Sequence, residues 1–514
     1  MATRFVNIDR RTPMLLPADL RDWVAEDDLV HFLIECVEGF DLRGFAINER
    51  GSGSEQFPPA MMLGLLIYNY ANGIFSSRRI EAATYRDVAV RYLCANTHPD
   101  HDTICEFRRR NFEAIAECFL KVLLLARELK LLKVGTVSVD GTRLDAAASK
   151  HRNVTYGRAG ELIGQLQSEI AELLEKAEAA DQAQEGDPGR LPQEIARRES
   201  LKGQLEAARR RLEEQVAARA VAEQAVYERK LKEREQRKYK GKKPRPPRGT
   251  PEPQAQMNLT DPDSALMRRS KNAQWRQGYN AHAVVDAEGS QLILGARLTN
   301  CGTDNTQLLP DIESVPEELK PVKIVLADAG FGNGKQVEVL TQRGIEVLVN
   351  VQAQAAHLRR RHDFRPVDSR SESPVRSKAP WRKAMKEKLQ SKEGQALYAK
   401  RWSTVEPVFG TIKAAIGFRH FLLRGLDRVS GEWQLVCLAY NFRRLHKLRA
   451  AQIAPYRKPI KSKKLGRCPL GLSSAFRFKF NGSDISLAAL SRPLKNLSLL
   501  LELLPKIVQS PTSS

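Results

Sequence analysis

Two stretches of the chain have the hydrophobic patterning of β-strands, and each leads to an aspartate. From residue 134 to residue 140 polar and apolar side chains alternate, which places Asp140 on the polar face at the end of a predicted strand. Ile324–Ala327 is an unbroken apolar run, typical of a strand buried on both faces in a partly parallel sheet, and Asp328 follows it directly. Because ligand sites in such sheets lie at the carboxyl ends of strands, we expect the two aspartates to face one site.

The same patterning predicts the rest of a sheet. A hairpin is expected around a turn at Asp286–Gly289, and one helix is expected on each side of Asp328. The order strand, hairpin, helix, strand, helix, strand indicates an α/β fold with a mixed sheet that is interrupted after its first strand. The later strands are predicted at 281–285, 292–298, 324–327 and 346–351.

The interruption has the pattern of a helical hairpin. Apolar residues from Ile163 to Ala180 alternate spacings of three and four, which is the seam of a coiled coil, and Asp187–Gly189 then breaks the helix. A second helix, from about Gln193 towards Tyr239, is expected to pair with the first one in antiparallel fashion. Ahead of the sheet, Pro59 opens a predicted apolar helix, and Thr103 begins another that continues past Leu120.

A third candidate carboxylate lies on a predicted helix near the end of the sheet region. Glu406 and Lys413 are seven residues apart, about two helical turns, so they share a face while Val408 and Ile412 pack inward. Pro407 cannot donate an interior helix hydrogen bond but suits a first turn. We therefore expect the helix to begin near Glu406.

The net charge of the chain indicates which class of partner it binds. The 514 residues include 83 Lys and Arg against 61 Asp and Glu, a net charge of +22 that suits a phosphate backbone. Residues 228–248 hold eleven Lys and Arg against three Glu, so one segment supplies eight of those charges. This segment is either a DNA-backbone contact or a solvated linker, and the basic stretch 359–392 either lines the DNA channel or is a disordered loop.

Cysteine usage and hydropathy indicate the cellular compartment in which the protein is expected. The seven cysteines include no Cys-x-x-Cys pair, which favours a reducing cytosol. No signal peptide is recognised at the start of the sequence, and no apolar run reaches the ~20 uncharged residues of a membrane span. We expect a protein of the cytoplasm.

Beyond these patterns, the chain resembles the DDE transposases of bacterial insertion sequences, whose catalytic domain is RNase H-like and similar to that of retroviral integrases. The resemblance covers most of residues 1–450 and includes a Tyr…Arg…Glu…Lys pattern with the Arg-to-Glu interval one residue longer than usual. That pattern is filled here by Tyr398, Arg401, Glu406 and Lys413. The other matching positions are Gly278-Tyr279-Asn280, Asp286, Arg424-Gly425-Leu426, Trp433 and Tyr440-Asn441-Phe442.

The resemblance implies a site and a reaction. Asp140, Asp328 and Glu406 would be the catalytic residues and would hold two Mg²⁺ ions, with Asp140 shared between them and Mn²⁺ able to substitute. The implied reaction is cleavage at the terminal inverted repeats of the insertion sequence, followed by transfer of a 3′-hydroxyl into double-stranded target DNA. A homodimer at the bacterial nucleoid is expected to carry it out. The residues expected to contact DNA are Lys413, Arg401, Tyr398 and Arg424.

Two alternatives stay open: a DNA nuclease of the same fold that does not join strands, and a DNA-binding derivative that has lost catalysis.

The predicted domains are residues 1–130, helical and binding DNA ends; 131–156, the first part of the catalytic core; 157–272, the coiled-coil insertion with its basic arm; 273–450, the second part of the core; and 451–514, an unassigned tail with at most a short helix at 497–504.

Overall fold

The computed structural model describes residues 19–47, 55–183, 190–236, 243–268, 272–351 and 379–453, together with two short strands at 477–480 and 483–486. Within these ranges the chain begins with helices. They are a 3-10 turn at Leu20–Trp23, α1 at Leu29–Glu38, α2 at Pro59–Ala71, α3 at Ser77–Arg86, α4 at Val88–Leu93, α5 at His101–Arg110 and α6 at Phe112–Glu128.

The helix predicted from Thr103 past Leu120 is in fact two helices, α5 and α6, that meet at Asn111. The Asn111 side chain accepts a hydrogen bond from Ala46 N–H at 2.7 Å and donates one to the Phe107 carbonyl at 2.8 Å. Asparagine side chains compete in this way with helical hydrogen bonds. The single-helix prediction was wrong because a contact distant in sequence, to Ala46, holds this break.

Eight strands of the described chain lie in two sheets ahead of residue 350. Strand β5 contributes to three pairings, antiparallel with β1 on one edge and with β4 and β6 on the other, while β7 lies parallel to both β1 and β8. This mixed order, β4-β5-β1-β7-β8, confirms the predicted α/β class with an RNase H-like sheet. The strands are β1 at Thr136–Asp145, β2 at Asn153–Thr155, β3 at Gln256–Asn258, β4 at Ala265–Met267, β5 at Arg276–Asp286, β6 at Ile293–Thr299, β7 at Ile324–Ala327 and β8 at Glu346–Val349.

The interruption after β1 is the predicted helical hairpin. Helix α7 spans Tyr156–Ala183 and α8 spans Arg190–Gln236, and the two pack against each other. Ile163, Leu166 and Leu205 form the buried centre of this contact near the sheet. The short strands β2 and β3 pair at the base of the hairpin and lead the chain back towards β4.

The helices after the hairpin complete the layers around the sheet. The long helix α14 contacts α2 and α6 on one side and β6 on the other, so the N-terminal helices and the sheet share one apolar core. Its Trp433 indole donates to the His282 carbonyl at 3.0 Å, and the Asn441 side chain bonds both backbone groups of Ile293. These helices are α9 at Leu308–Glu313, α10 at Gly334–Gln342, α11 at Pro380–Gln390, α12 at Lys392–Ala399, α13 at Val405–Gly410 and α14 at Leu426–Ile453.

Several predictions fall on residues beyond the described ranges. These are the helix at 497–504, most of the basic stretch 359–392, and the first part of the basic arm after residue 236. The two short strands of the tail, β9 at Arg477–Phe480 and β10 at Ser483–Ser486, pair with each other. Across the described ranges, no helix is both long enough and apolar enough to cross a membrane.

Candidate catalytic site

Asp140 lies where the central strand loses one of its neighbours. The parallel pairing of β1 with β7 runs from Thr136 with Ile324 to Val139 with Ala327, whereas the pairing with β5 continues to Asp145. The predicted end of the strand at Asp140 was therefore wrong by five residues, because β5 holds residues 141–145 extended. Asp140 still follows the end of the paired region, at an edge of β1 that β7 leaves open.

Asp328 reaches the same place from the neighbouring strand. It follows Ala327, the last residue of β7, and is the N-cap of a 3-10 turn at Ala329–Phe331. Since Ala327 pairs with Val139, the two aspartates each follow the last matched pair of two parallel strands. The predicted proximity of Asp140 and Asp328 agrees with this register.

Glu406 comes from α13, which packs against β1. Val405 and Val408 are fully buried, and the Glu406 side chain is 47% exposed on the other face. The helix begins at Val405, one residue from the predicted start, with Pro407 in its first turn. Helix α13 thus brings a carboxylate close to the strand that carries Asp140.

Lys413 lies in a π-helical segment, Thr411–Ala415, that continues α13. A π-helical turn holds more residues than an α-helical turn, so Glu406 and Lys413 are not separated by two regular α-helical turns as predicted. The Lys413 ammonium nevertheless donates to the Thr142 hydroxyl. Thr142 is two residues beyond Asp140 on β1, so both side chains lie on the same face of the strand.

Arg401 connects two of the acids. Its guanidinium lies 2.9 Å from Oδ2 of Asp140 and 3.5 Å from Oε1 of Glu406, and the side chain is only 4% exposed. The additional residue between Arg401 and Glu406 is accommodated at Thr404, where the backbone leaves helical geometry between a 3-10 turn and α13. A buried guanidinium therefore supplies positive charge between the carboxylates.

Tyr398 and Arg424 occupy different surroundings. The Tyr398 hydroxyl is buried and donates to the Ala327 carbonyl at 3.3 Å, directly before Asp328. The exposed Arg424 donates through Nε to the Ala147 carbonyl at 3.0 Å, beyond the far end of β1. Tyr398 thus contacts the residue before Asp328, whereas Arg424 contacts the chain beyond the end of β1.

The electrostatics of the site centre on Asp140. Its pKa is raised to about 6, chiefly because burial penalises the charged form. The Arg401 guanidinium and the Gly141 N–H oppose this rise, while the negative charges of Asp328 and Asp304 add to it. The influence of Asp328 agrees with its place beside Asp140.

Asp304 is a further acid near Asp140, and sequence analysis did not single it out as a site residue. Asn280 donates to its Oδ1 at 2.7 Å, and His282 Nε2 lies 3.7 Å from the same oxygen. A Cβ on Gly141 would lie 3.0 Å from this oxygen, and a Cβ on Gly330 would lie 3.2 Å from Oδ2. Gly141 and Gly330 leave room for Asp304. The spacing of residues along the chain could not have revealed this proximity.

His282 belongs to a buried network that is separate from the three acids. Its Nδ1 lies 2.8 Å from Oδ2 of Asp311, and Arg297 donates to the other oxygen of Asp311 at 2.9 Å. His282 and Asp311 are each about 1% exposed. This arrangement indicates a structural role for His282.

The donor set of the site suits a hard divalent cation. Asp140, Asp328 and Glu406 offer only carboxylate oxygens, which Mg²⁺ prefers, and the cationic Arg401 already lies between two of them. In the described part of the chain, no three His, Cys, Asp or Glu side chains stand close enough together to hold an ion. The chemistry of these residues therefore fits a magnesium site. In the described arrangement, however, the side chains lie too far apart to surround an ion.

Comparison with known proteins gives two family matches. A model described as "Transposase DDE domain" matches residues 252–442, which include Asp328 and Glu406. A model described as "Transposase domain (DUF772)" matches residues 18–110, which lie in the N-terminal helices. No curated protein and no solved structure matches the chain. The two matches flank β1 and the helical hairpin, so Asp140 lies between them.

Proposed function

Since the chain belongs to the DDE transposases of the insertion-sequence type, we propose that it cleaves DNA at the ends of its insertion sequence and joins the freed 3′-hydroxyl to target DNA. The observation that carries this proposal is the register of β1 and β7, whose last pair directly precedes Asp140 and Asp328, together with the Arg401 guanidinium that pairs with both Asp140 and Glu406. Three carboxylates at one edge of an RNase H-like sheet suit phosphoryl transfer.

We assign Asp140, Asp328 and Glu406 to the binding of divalent metal ions, on which the family generally depends. When bound, two Mg²⁺ ions would stabilise charge on the phosphoryl oxygens and activate the oxygen nucleophile. Asp140, Asp328 and Glu406 would together hold the ions through their carboxylate oxygens. Mn²⁺ would substitute because it accepts the same oxygen ligands.

The basic and hydroxyl side chains divide into two roles. Arg401 and Tyr398 are buried, so we assign them to holding the acids in place: Arg401 by its ion pairs and Tyr398 through the β7 carbonyl before Asp328. Sequence alone suggested that both contact DNA, but their burial leaves little surface for a phosphate. Lys413 and the exposed Arg424 remain the proposed DNA contacts of this group.

The proposed substrate is double-stranded DNA, namely the terminal inverted repeats and the target. The net charge of +22 supports a phosphate backbone as the partner. Two ends must be brought together, so we propose a homodimer, with the α7–α8 hairpin available for contact between its copies. Residues 1–130 would bind the DNA ends, 131–156 and 273–450 would form the catalytic core, and 157–272 would be the insertion.

The test is a single reaction that reports cleavage and joining separately. A labelled duplex carrying the terminal repeat is incubated with the full chain, Mg²⁺ and a supercoiled target plasmid. Our proposal predicts a nicked or cut end and a slower joined product. Cleavage without joining would instead support a nuclease, and DNA binding with neither product would support an inactive derivative.

A further inference from the structure

An exposed tryptophan lies among basic side chains near the Asp145 end of β1, beyond the stretch of this strand that pairs with β7. Trp275 directly precedes β5 and is 48% exposed. The Arg268 guanidinium lies 5.0 Å from the centre of its ring. Tryptophan is a large apolar side chain, so an exposed one within a basic surface suggests a ligand with both flat and anionic parts.

Two open cavities flank this tryptophan. One, of about 200 Å³, is lined in part by Arg143, Arg268 and Arg276. The other, of about 280 Å³, is lined in part by Lys150, His151 and Trp275 itself. Arg268 lines the first cavity and Trp275 lines the second, so the contact between these two side chains links the two cavities. We call these six residues the Trp275 surface.

Hydrogen bonds hold the arginines of this surface in place. Arg143 donates to the Gly302 carbonyl at 2.8 Å and also to the carbonyl of Arg268. Arg276 is 61% exposed and pairs with Asp145 at 2.9 Å. Asp145 is the one acid that lines either cavity, against four Arg and Lys, so the surface keeps an excess of positive charge.

The position of the Trp275 surface relates it to the candidate catalytic site. Arg143 and Asp145 are three and five residues beyond Asp140 on β1. Arg276, the first residue of β5, lies seven residues from Ala283, which pairs with Asp140, so at ~3.3 Å per residue it is roughly 23 Å from Asp140. At the ~3.4 Å spacing of a stacked strand this distance takes about seven nucleotides, and a more extended unpaired strand takes fewer.

We propose that the Trp275 surface binds an unpaired stretch of the DNA end, with a base stacked on Trp275 and phosphates held by the basic side chains. This proposal rests on the proposed function, which supplies the DNA end. An aromatic face reaches a base only where that base is not stacked within a duplex, and aromatic side chains in basic grooves are the general means of binding single strands. The surface would therefore hold a strand that separates within about seven nucleotides of the cut.

The experiment compares binding of two probes by the full chain in the absence of divalent metal. One is a blunt duplex carrying the terminal repeat, and the other is the same duplex with about seven unpaired nucleotides at the cleavage end. Fluorescence anisotropy gives both dissociation constants for wild type, Trp275→Ala and Trp275→Phe. Thermal melting identifies any variant that fails to fold, and Trp275→Phe keeps an aromatic face when Trp275→Ala does not.

We expect Trp275→Ala to weaken binding of the forked probe roughly 10-fold and to leave blunt-duplex binding within about twofold of wild type. Trp275→Phe is expected to keep most of the forked-probe affinity. Arg276→Ala should weaken both probes and reduce the dependence of the forked-probe affinity on salt. Equal effects of Trp275→Ala on both probes, or no effect on either, would overturn the proposal.

The outcome is separable from failure of the proposed function, because binding is measured without catalysis. If wild type neither cleaves nor joins DNA, and Trp275→Ala loses binding of the forked probe, then the surface binds single strands and the proposed reaction is wrong. Cleavage and joining by wild type, with Trp275→Ala indistinguishable from it on both probes, would overturn only the assignment of this surface.

Discussion

Arg401 and Asp140 form a buried ion pair, with 2.9 Å between the guanidinium Nη2 and the carboxylate Oδ2. The same guanidinium reaches towards Glu406 at 3.5 Å. Removing one partner of a buried ion pair leaves an uncompensated charge, which costs more free energy than the pair itself gains. Arg401 is therefore expected to matter for folding as well as for the alignment of the two acids.

The first prediction concerns this pair. Arg401→Met should lower the free energy of unfolding by roughly 3 kcal/mol, because Asp140 loses its counter-charge. The double variant Asp140→Asn with Arg401→Met should recover most of that loss, since neither charge remains. Urea unfolding of the three proteins measures the effect. Equal destabilisation by the single and double variants would show that the ion pair does not couple the two residues.

The second prediction concerns pH. Burial raises the pKa of Asp140 to about 6, whereas an unfolded aspartate titrates near ~3.9. The folded state therefore binds this proton more tightly than the unfolded state does. The free energy of unfolding falls as pH rises from about 4 to about 6, and Asp140 causes no further change above that pH. The full contribution is about 3 kcal/mol.

The measurement is urea unfolding of wild type and Asp140→Asn across that pH range, in buffer containing a chelator. Asparagine has no such proton, so Asp140→Asn should gain stability relative to wild type up to about pH 6. Parallel curves for the two proteins would contradict the raised pKa.

The third prediction concerns Gly141. A Cβ there would lie 3.0 Å from side-chain atoms of Asp304, Asn280 and His282. Gly141→Ala should therefore lower the free energy of unfolding by about 1–3 kcal/mol and slow cleavage by displacing Asp140. A matched control is Gly203→Ala on α8, where nothing lies within 4 Å, and this change should stabilise by up to ~1 kcal/mol. Thermal melting and cleavage rates of both variants test the difference.

The fourth prediction concerns Lys413. Its ammonium contacts Thr142 beside the acids, so Lys413→Ala should reduce the cleavage rate roughly 10- to 100-fold with a smaller change in DNA affinity. Lys400→Ala is the matched control, because Lys400 lies on the 3-10 turn Lys400–Ser403 and pairs with Glu288 in the turn between β5 and β6. It should keep nearly full activity. Similar losses in both variants would mean that Lys413 contributes only general positive charge.

The chain's patterning predicted the elements that depend on local sequence. The strand Ile324–Ala327 lies where the apolar run places it, and α8 begins within three residues of its predicted start. Both are stretches in which hydrophobic periodicity and chain breakers agree. The helical hairpin followed from the same agreement.

The misses come from contacts distant in sequence. Residues 141–145 have little strand character of their own, and pairing with β5 extends them. Asn111 ends a helix because Ala46 binds its side chain. The ion pair between Arg401 and Asp140 depends on the packing of α13 against β1, which no spacing along the chain encodes. The three acids could be proposed from sequence, but their counter-charge could not.

The measurement that tests the central claim most directly is cleavage and joining on a labelled terminal repeat in Mg²⁺ by Asp140→Asn, Asp328→Asn and Glu406→Gln. The matched control is Glu313→Gln, which changes an exposed carboxylate on α9 that pairs with Arg343. We expect both steps to be lost in all three acid variants with DNA binding retained, and both to persist in the control. Cleavage by any one of the three would show that the corresponding acid is not part of the site.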